Sequence, residues 1–413
     1  MTRPKKSQTT AAPSIPRIEY LRVENFRALR RVELSDITPL TVLLGPNGSG
    51  KSTIFDVFNF LSECFQVGLR KAWDKRGRFT ELRTRGSSGP IVIEVRYREQ
   101  AAEEPATYRL EIDEVDGHPR VRKETLQWRR VPKNQPGAPY KILSFDNGKG
   151  WVISGPQPGP KDRKTPEELN SPDALAVSTL GQLAKHPRVA ALRRFIADWY
   201  VSYLSVEDTR DVPLAGAHER LSKTGDNLAN VLQFLQENHP DRLKQIFAAL
   251  AKRVPRLEKV SSEPLRDGRL LLRIKDAPFA EPVLARFVSD GTLKMLAYLV
   301  VLFDPKPPQF IGLEEPENFL HPRLLTGLAE ECRAAAERSQ FLVTTHSPYF
   351  VNGVRPDELR VLYRDERGHT KVVRASDQRG VVDFVDEGAA LGDLWMEGHL
   401  GGDPLVRAGA PRT

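Results

Sequence analysis

Gly45-Pro46-Asn47-Gly48-Ser49-Gly50-Lys51-Ser52-Thr53 fits the phosphate-loop pattern G-x-x-x-x-G-K-[ST]. The apolar run Thr41-Val42-Leu43-Leu44 precedes it and an amphipathic stretch starts at Ser52, so the spacing predicts strand, loop and helix in that order. In such a turn the glycines let backbone N–H groups face a polyphosphate, and the helix behind points its positive end at the same charge. Asn47, Gly48, Ser49 and Gly50 would cradle the anion, with Thr53 completing the loop. Lys51 would reach the β- and γ-phosphates, and the Ser52 hydroxyl would sit on Mg2+. The alternative, a plain glycine-rich turn, does not call for a lysine and a hydroxyl at these positions. The stretch predicts a nucleoside triphosphate site in an α/β fold.

The chain around it has 413 residues, 39% hydrophobic and 28% charged, which suits a globular protein of two or three domains. No apolar run approaches the ~20 residues of a membrane span. Residues 1–16 lack the core of a signal peptide and read as a flexible basic arm. Two cysteines, Cys64 and Cys332, argue against a disulfide framework and for a cytoplasmic protein. The net charge of +8 is uneven: residues 68–99 hold nine Lys and Arg against four acids, and residues 119–163 hold ten against three. Such patches could pair with DNA or simply be solvated, and no zinc finger or helix-turn-helix accompanies them.

Residues 17–130 read as β-rich, with strands at 18–23, 31–34, 41–44, 91–97 and 108–112. Residues 131–284 read as a loop-rich and helical insertion. Prolines and glycines punctuate 131–173, leaving room for one short strand near 140–143. Helical periodicity then takes over, through Leu228, Val231, Leu232 and Leu235, and again through Leu243, Ile246, Phe247 and Leu250. Strands return at 270–274, 310–313 and 341–344. Residues 285–375 close the α/β core, and 376–413 form a tail. Heptad arrays and repeats are absent from the sequence, so the expected architecture is a β-rich lobe plus α/β core with an inserted helical lobe and no long coiled coil.

Three further stretches carry chemistry. Phe310-Ile311-Gly312-Leu313-Glu314-Glu315-Pro316-Glu317 reads as a buried strand ending in paired carboxylates, the equipment of a metal-dependent triphosphatase. Glu314 is assigned to the metal and Glu315 to the attacking water. Phe341-Leu342-Val343-Thr344-Thr345-His346-Ser347-Pro348 places an imidazole at the carboxyl edge of a strand, where ligands sit in open α/β sheets. His346 would bond the γ-phosphate and the water. Val288-Ser289-Asp290-Gly291-Thr292-Leu293-Lys294 opens a helix, where Ser289 or Asp290 could serve as an ordinary cap or, with Gly291, as a phosphate donor.

The ordered set GPNGSGKST, SDGTLK, IGLEEPENFLHP and TTHSP resembles the ABC-type ATPases of the RecF/SMC and OLD (overcoming lysogenization defect) group. Val23-Glu24-Asn25-Phe26-Arg27-Ala28-Leu29 is similar to that group's opening. The resemblance covers residues 17–130 and 285–375 well and the helical lobe loosely. It implies that ATP with Mg2+ is sandwiched between two heads, with Ser289 and Gly291 of the signature meeting the γ-phosphate held by the other subunit. Asn318-Phe319-Leu320-His321 would then face the dimer, giving a homodimer or higher even oligomer. This sequence departs from the pattern at Glu314, where the group usually has Asp, and at Asp290, where it has glycine. Gln100 and Gln127 are both candidates for the glutamine that the pattern also carries.

Large OLD members add a C-terminal Toprim nuclease. Only 67 residues follow His346, fewer than the remaining core elements and a domain of ~100 residues would need. Asp383, Asp386, Glu387, Asp393 and Glu397 read as surface charge. The chain therefore resembles the stand-alone ATPase subunits of bacterial anti-phage systems, which act through a separate effector such as a nuclease or toxin. The tail at 391–395 could dock that partner or simply pack. The expected function is ATP hydrolysis used as a switch in phage defence. The alternatives are a RecF-like repair ATPase acting on DNA, or a scaffold or sensor with slow, structural ATP turnover. A transporter ATPase is disfavoured, because the signature and the EEPENFLHP stretch look unlike that branch.

Overall fold

A parallel strand covered on both faces is apolar along its whole length rather than at alternate residues. Leu40–Leu44 is buried at every position, as is Gln340–Thr345, and Phe310–Glu314 is buried up to its final glutamate. The computed structural model describes residues 17–99, 105–128, 139–254, 256–277 and 279–401. In it these strands form the centre of a six-stranded sheet, in the order Tyr200–Ser202, Phe310–Glu314, Gln340–Thr345, Leu40–Leu44, Leu359–Arg364, Thr370–Arg374. The first five run parallel and the last turns back. Register puts Glu314 beside Thr344 and Thr345 beside Leu44. The loops that leave this edge are the phosphate loop, the carboxylate loop and the histidine loop.

Two hydrophobic cores lie on opposite faces of this sheet, Leu43 and Phe310 facing one and Val42 and Leu44 the other. Lys51–Gln66 covers the first face, with Phe58 stacked on Phe310 at 4.7 Å between centroids. Gly312 permits the approach, since a Cβ there would stand 2.8 Å from the Phe55 ring. Asp290–Leu302 covers the second face and is buried from Thr292 onward on every side, as a core helix must be.

The second sheet has eight strands and is antiparallel throughout, in the order Leu29–Leu34, Arg17–Phe26, Ile91–Arg98, Ala106–Val115, His118–Trp128, Tyr140–Asp146, Lys149–Ile153, Lys164–Glu168. Tyr140–Asp146 contains the short strand expected near 140–143, while the last two strands correct the sequence reading. The stretch expected to be irregular apart from that strand extends the β-lobe as far as Glu168, so the boundary at 130/131 falls within one sheet. Asn147-Gly148, with φ of 48° and 80°, makes a two-residue hairpin turn, as Asp116-Gly117 does at 53° and 76°. Pro166 sits in the terminal strand, where a missing N–H costs no ladder bond on the open side.

The insertion is corrected at a second point. Tyr200–Ser202 lies inside it in sequence, yet it belongs to the core sheet. The helices Leu228–Asn238 and Pro240–Ala251 do form the expected lobe, packed on a three-stranded sheet of Leu257–Pro264, Leu270–Asp276 and Val283–Leu284. Among the described residues the longest helix is Lys51–Gln66, 16 residues, and no helix is long and apolar enough to cross a membrane. Asp383, Asp386, Glu387, Asp393 and Glu397 are exposed. Leu391–Met396 packs on the short helix Pro348–Val351, where Gly392 N donates to Asn352 Oδ1 at 2.7 Å. The expected arm, 1–16, and Gln100 lie outside the described residues.

Candidate nucleotide site

The phosphate loop turns on Gly48 and Gly50, at φ of 79° and 108°. Gly50 opens the helix with no side-chain cap and no acid in the first turn, so the helix's positive end is left free for an anion. Lys51 is buried, and its Nζ donates to Gly45 O at 2.7 Å and Pro46 O at 3.2 Å. Burial lowers its pKa, against the opposing fields of Glu315, Glu317 and Glu314. The loop is braced from the far end of the chain. Thr370 Oγ1 donates to Ser49 O at 2.9 Å, and Arg364 Nε donates to Gly48 O. Neither residue stood out in the sequence.

Glu314 ends its strand half-buried, and burial raises its pKa; a hydrogen bond with Ser52 pulls the other way. Glu315 takes a left-handed backbone, φ 41°, pinned by its N–H to Thr344 O at 3.0 Å and Thr344 Oγ1 at 3.1 Å. Glu317 is buried and gathers the histidine loop. It accepts from Thr345 Oγ1 at 2.8 Å and from His346 N at 2.7 Å, and His346 Nδ1 stands 3.1 Å from the same oxygen. His346 Nδ1 is 3.7 Å from Glu315 Oε1. The structure thus brings Lys51, Ser52, Glu314, Glu315 and His346 to one edge, with Glu317 as an organiser that the sequence reading had passed over. Tyr203, just past the neighbouring strand, packs edge-on to Phe55 at 5.5 Å. Burial raises its pKa, with Asp56 and Glu314 adding to the rise. Gln127 lies in the eight-stranded sheet, paired between Thr107 and Lys141, away from this edge.

Ser289 caps the helix Asp290–Leu302, accepting from Thr292 N at 3.3 Å. Gly291 lies against the carboxylate loop, where a Cβ would come 2.8 Å from Phe319 O. The hydrogen bonds of Ser289 are with Thr292 and Leu293 and the close neighbour of Gly291 is Phe319, none of them in residues 45–53.

These residues fit a magnesium-bound triphosphate. Ser49 Oγ and Glu317 Oε2 are buried without a hydrogen-bond partner among the described residues, and a Cβ at Gly48 would meet open space. Ser52 and Glu314 offer the one or two oxygen ligands that Mg2+ takes from protein when phosphates supply the rest.

Residues 17–167 match the family described as an AAA ATPase domain. Residues 160–352 match an AAA-domain family described with the AbiEii toxin of type IV toxin–antitoxin systems. An OLD nuclease of Thermus scotoductus is 24% identical over 402 residues, covering 93% of this chain and 68% of the relative. A solved SMC head, bound to the C-terminal winged-helix domain of ScpA, superposes with a TM-score of 0.51 at 17% identity, covering 86% of this chain and 97% of that one. A second SMC head, with an extended coiled coil, from Pyrococcus furiosus gives 0.48 at 14%, covering 90% and 100%. An SMC-head fold, ATPase-domain matches that together run from residue 17 to 352 and a 24%-identical OLD relative along nearly the whole chain point the same way: this protein resembles the ABC-type ATPases of the RecF/SMC and OLD group.

Proposed function

We propose that the protein hydrolyses ATP between two copies of itself and uses the turnover as a switch on a separate effector in anti-phage defence. The observation that carries the hydrolytic part is the cluster of Glu315, Glu317 and His346 on the edge that also bears Lys51, Ser52 and Glu314. Mg2+ held by Ser52 and Glu314 would screen the charge on the transferred phosphoryl group. Lys51 would exchange its two carbonyl partners for phosphate oxygens. Glu315 would orient a water and take its proton as the water oxygen bonds to the γ-phosphorus, and the bond to the ADP oxygen breaks. His346, held by Glu317, would contact the γ-phosphate. Ser289 and Gly291, at a helix start free of the phosphate loop, would serve the ATP of the second copy. The toxin named in one matching family and the nuclease named for the relative support a destructive effector.

The test is turnover and mass measured together. Wild type should hydrolyse ATP. Glu315→Gln should bind ATP and stay as a closed dimer, and Lys51→Ala should lose both binding and dimer. Turnover by Glu315→Gln at the wild-type rate would refute the assignment.

One feature favours direct DNA action as a second reading. A cleft beside the phosphate loop is lined by Arg30, Arg85, Arg364, Arg367 and Lys371 against Asp365 and Glu366, and Arg30, Arg85 and Arg367 have no carboxylate partner among the described residues. Stimulation of the ATPase by DNA, falling with salt, would support it.

A further inference from the structure

Between Ser289 and Gly291 this chain carries a carboxylate, Asp290, and the structure shows what holds it. Asp290 is the first residue of the helix Asp290–Leu302, beside Ser289 and Gly291. A carboxylate there suits the helix dipole but competes with any phosphate for the same N–H groups. Arg210, 80 residues earlier in the chain, forms an ion pair with it. The same guanidinium donates to Val288 O at 2.8 Å, to Ala285 O at 3.2 Å and to Arg286 O. One planar fork therefore spans the whole approach to the signature. A lysine, with a single point of charge, could not bridge this set.

The segment bearing Arg210 also reaches the other half of the site. It runs from Tyr203, near Glu314, through the short turn Asp208–Arg210. On the way Leu204 O accepts from buried Lys294 Nζ, on the signature helix itself. Thr209, also buried, closes the turn onto Val206 O at 2.7 Å.

We infer that Arg210 is the positioning residue of the signature: it neutralises Asp290 and fixes residues 285–290, so that Ser289 and Gly291 can accept the triphosphate of a second copy. This rests on the proposed two-copy reading. Without Arg210, Asp290 would turn an unpaired negative charge toward that triphosphate while the loop lost four bonds.

The test uses the full chain with Glu315→Gln as background, reading ATP binding by calorimetry and ATP-dependent dimerisation by mass. Arg210→Ala should bind ATP as the parent does and dimerise at least tenfold more weakly, the scale of one poorly screened charge near a polyphosphate. Adding Asp290→Gly should recover most of the loss, because the charge to be neutralised is gone. Arg210→Lys should recover less than that double variant. If Arg210→Ala dimerises like the parent, or if Asp290→Gly brings no recovery, the positioning role is overturned. Ser289→Ala separates the two readings. Its failure to weaken dimerisation would overturn the signature reading itself, whereas weakening by Ser289→Ala but not by Arg210→Ala would overturn only the role of Arg210.

Discussion

Glu124 should make the β-lobe lose stability as pH rises. It is wholly buried, its carboxylate accepting from Tyr108 Oη at 2.9 Å, from Val177 N at 3.0 Å and from Ala176 N. It thereby ties the strand His118–Trp128 to the start of the helix Ala176–Leu180. Burial raises its pKa from 4.5 to about 7, although all three donors favour the ionised form. A folded-state pKa above the unfolded value means that the native chain binds the proton more tightly. The stabilisation is therefore complete below about pH 4.5 and gone above about pH 7. A rise of this size corresponds to about 3 kcal/mol across that window. Glu124→Gln removes the titration. It also sets an amide N–H against a backbone N–H, a fixed cost of about 1–3 kcal/mol. The informative quantity is the stability difference between wild type and variant, from urea unfolding followed by tryptophan emission at constant ionic strength. It should shrink by about 3 kcal/mol between pH 4.5 and pH 8. A difference that stays constant over that range would refute the claim that Glu124 is protonated in the folded lobe.

Two substitutions probe the nucleotide edge. Gly50→Ala puts a Cβ at φ 108° into the Thr370 hydroxyl, at a backbone cost of about 1–3 kcal/mol, so ATP should bind at least tenfold more weakly by calorimetry. Unchanged affinity would remove Thr370 as the brace of the loop. Glu314→Asp should retain turnover within about tenfold, since a metal ligand can act through water, whereas Glu315→Asp should lose far more because it withdraws the base from its water. The reverse ranking in a turnover assay would exchange the two roles.

What the sequence made legible was what neighbouring residues determine. A loop between an apolar strand and a helix is local grammar, and so are an apolar run ending in acids and one ending in histidine. The fold, with its core sheet and lobes, follows from that grammar. What stayed hidden depends on distance along the chain. Thr370 reaches Ser49 across 321 residues and Arg364 reaches Gly48 across 316, so no window of sequence contains either pair. Glu317 stands next to the paired glutamates in sequence, but its role becomes visible only when the strand Gln340–Thr345 delivers Thr345 and His346 to it. The strands from Tyr140 to Glu168 were legible in part. Asn147-Gly148 is a strong hairpin signal, but the surrounding prolines mask it, because proline density alone does not reveal that Pro166 lies on a sheet edge.

The carboxylate loop links the chemistry to the face proposed for the second copy. Two non-glycine residues of this one loop, Glu315 and Phe319, adopt left-handed φ, 41° and 70°. Each such residue costs about 1–3 kcal/mol and persists only where its surroundings hold it. Glu315 is held by Thr344, while Asn318 N and Leu320 N close successive turns onto Glu315 O and Glu317 O at 3.1 and 3.0 Å. The loop is thus a stiff span rather than a slack connection. At its far end the Phe319 carbonyl lies against Gly291, while the residue as a whole is 64% exposed. An exposed apolar residue beside the signature, on backbone held under strain, is poorly explained by packing within one chain. It fits the face proposed to meet a second copy, and the strained backbone ties that face to Glu315 through one stiff loop.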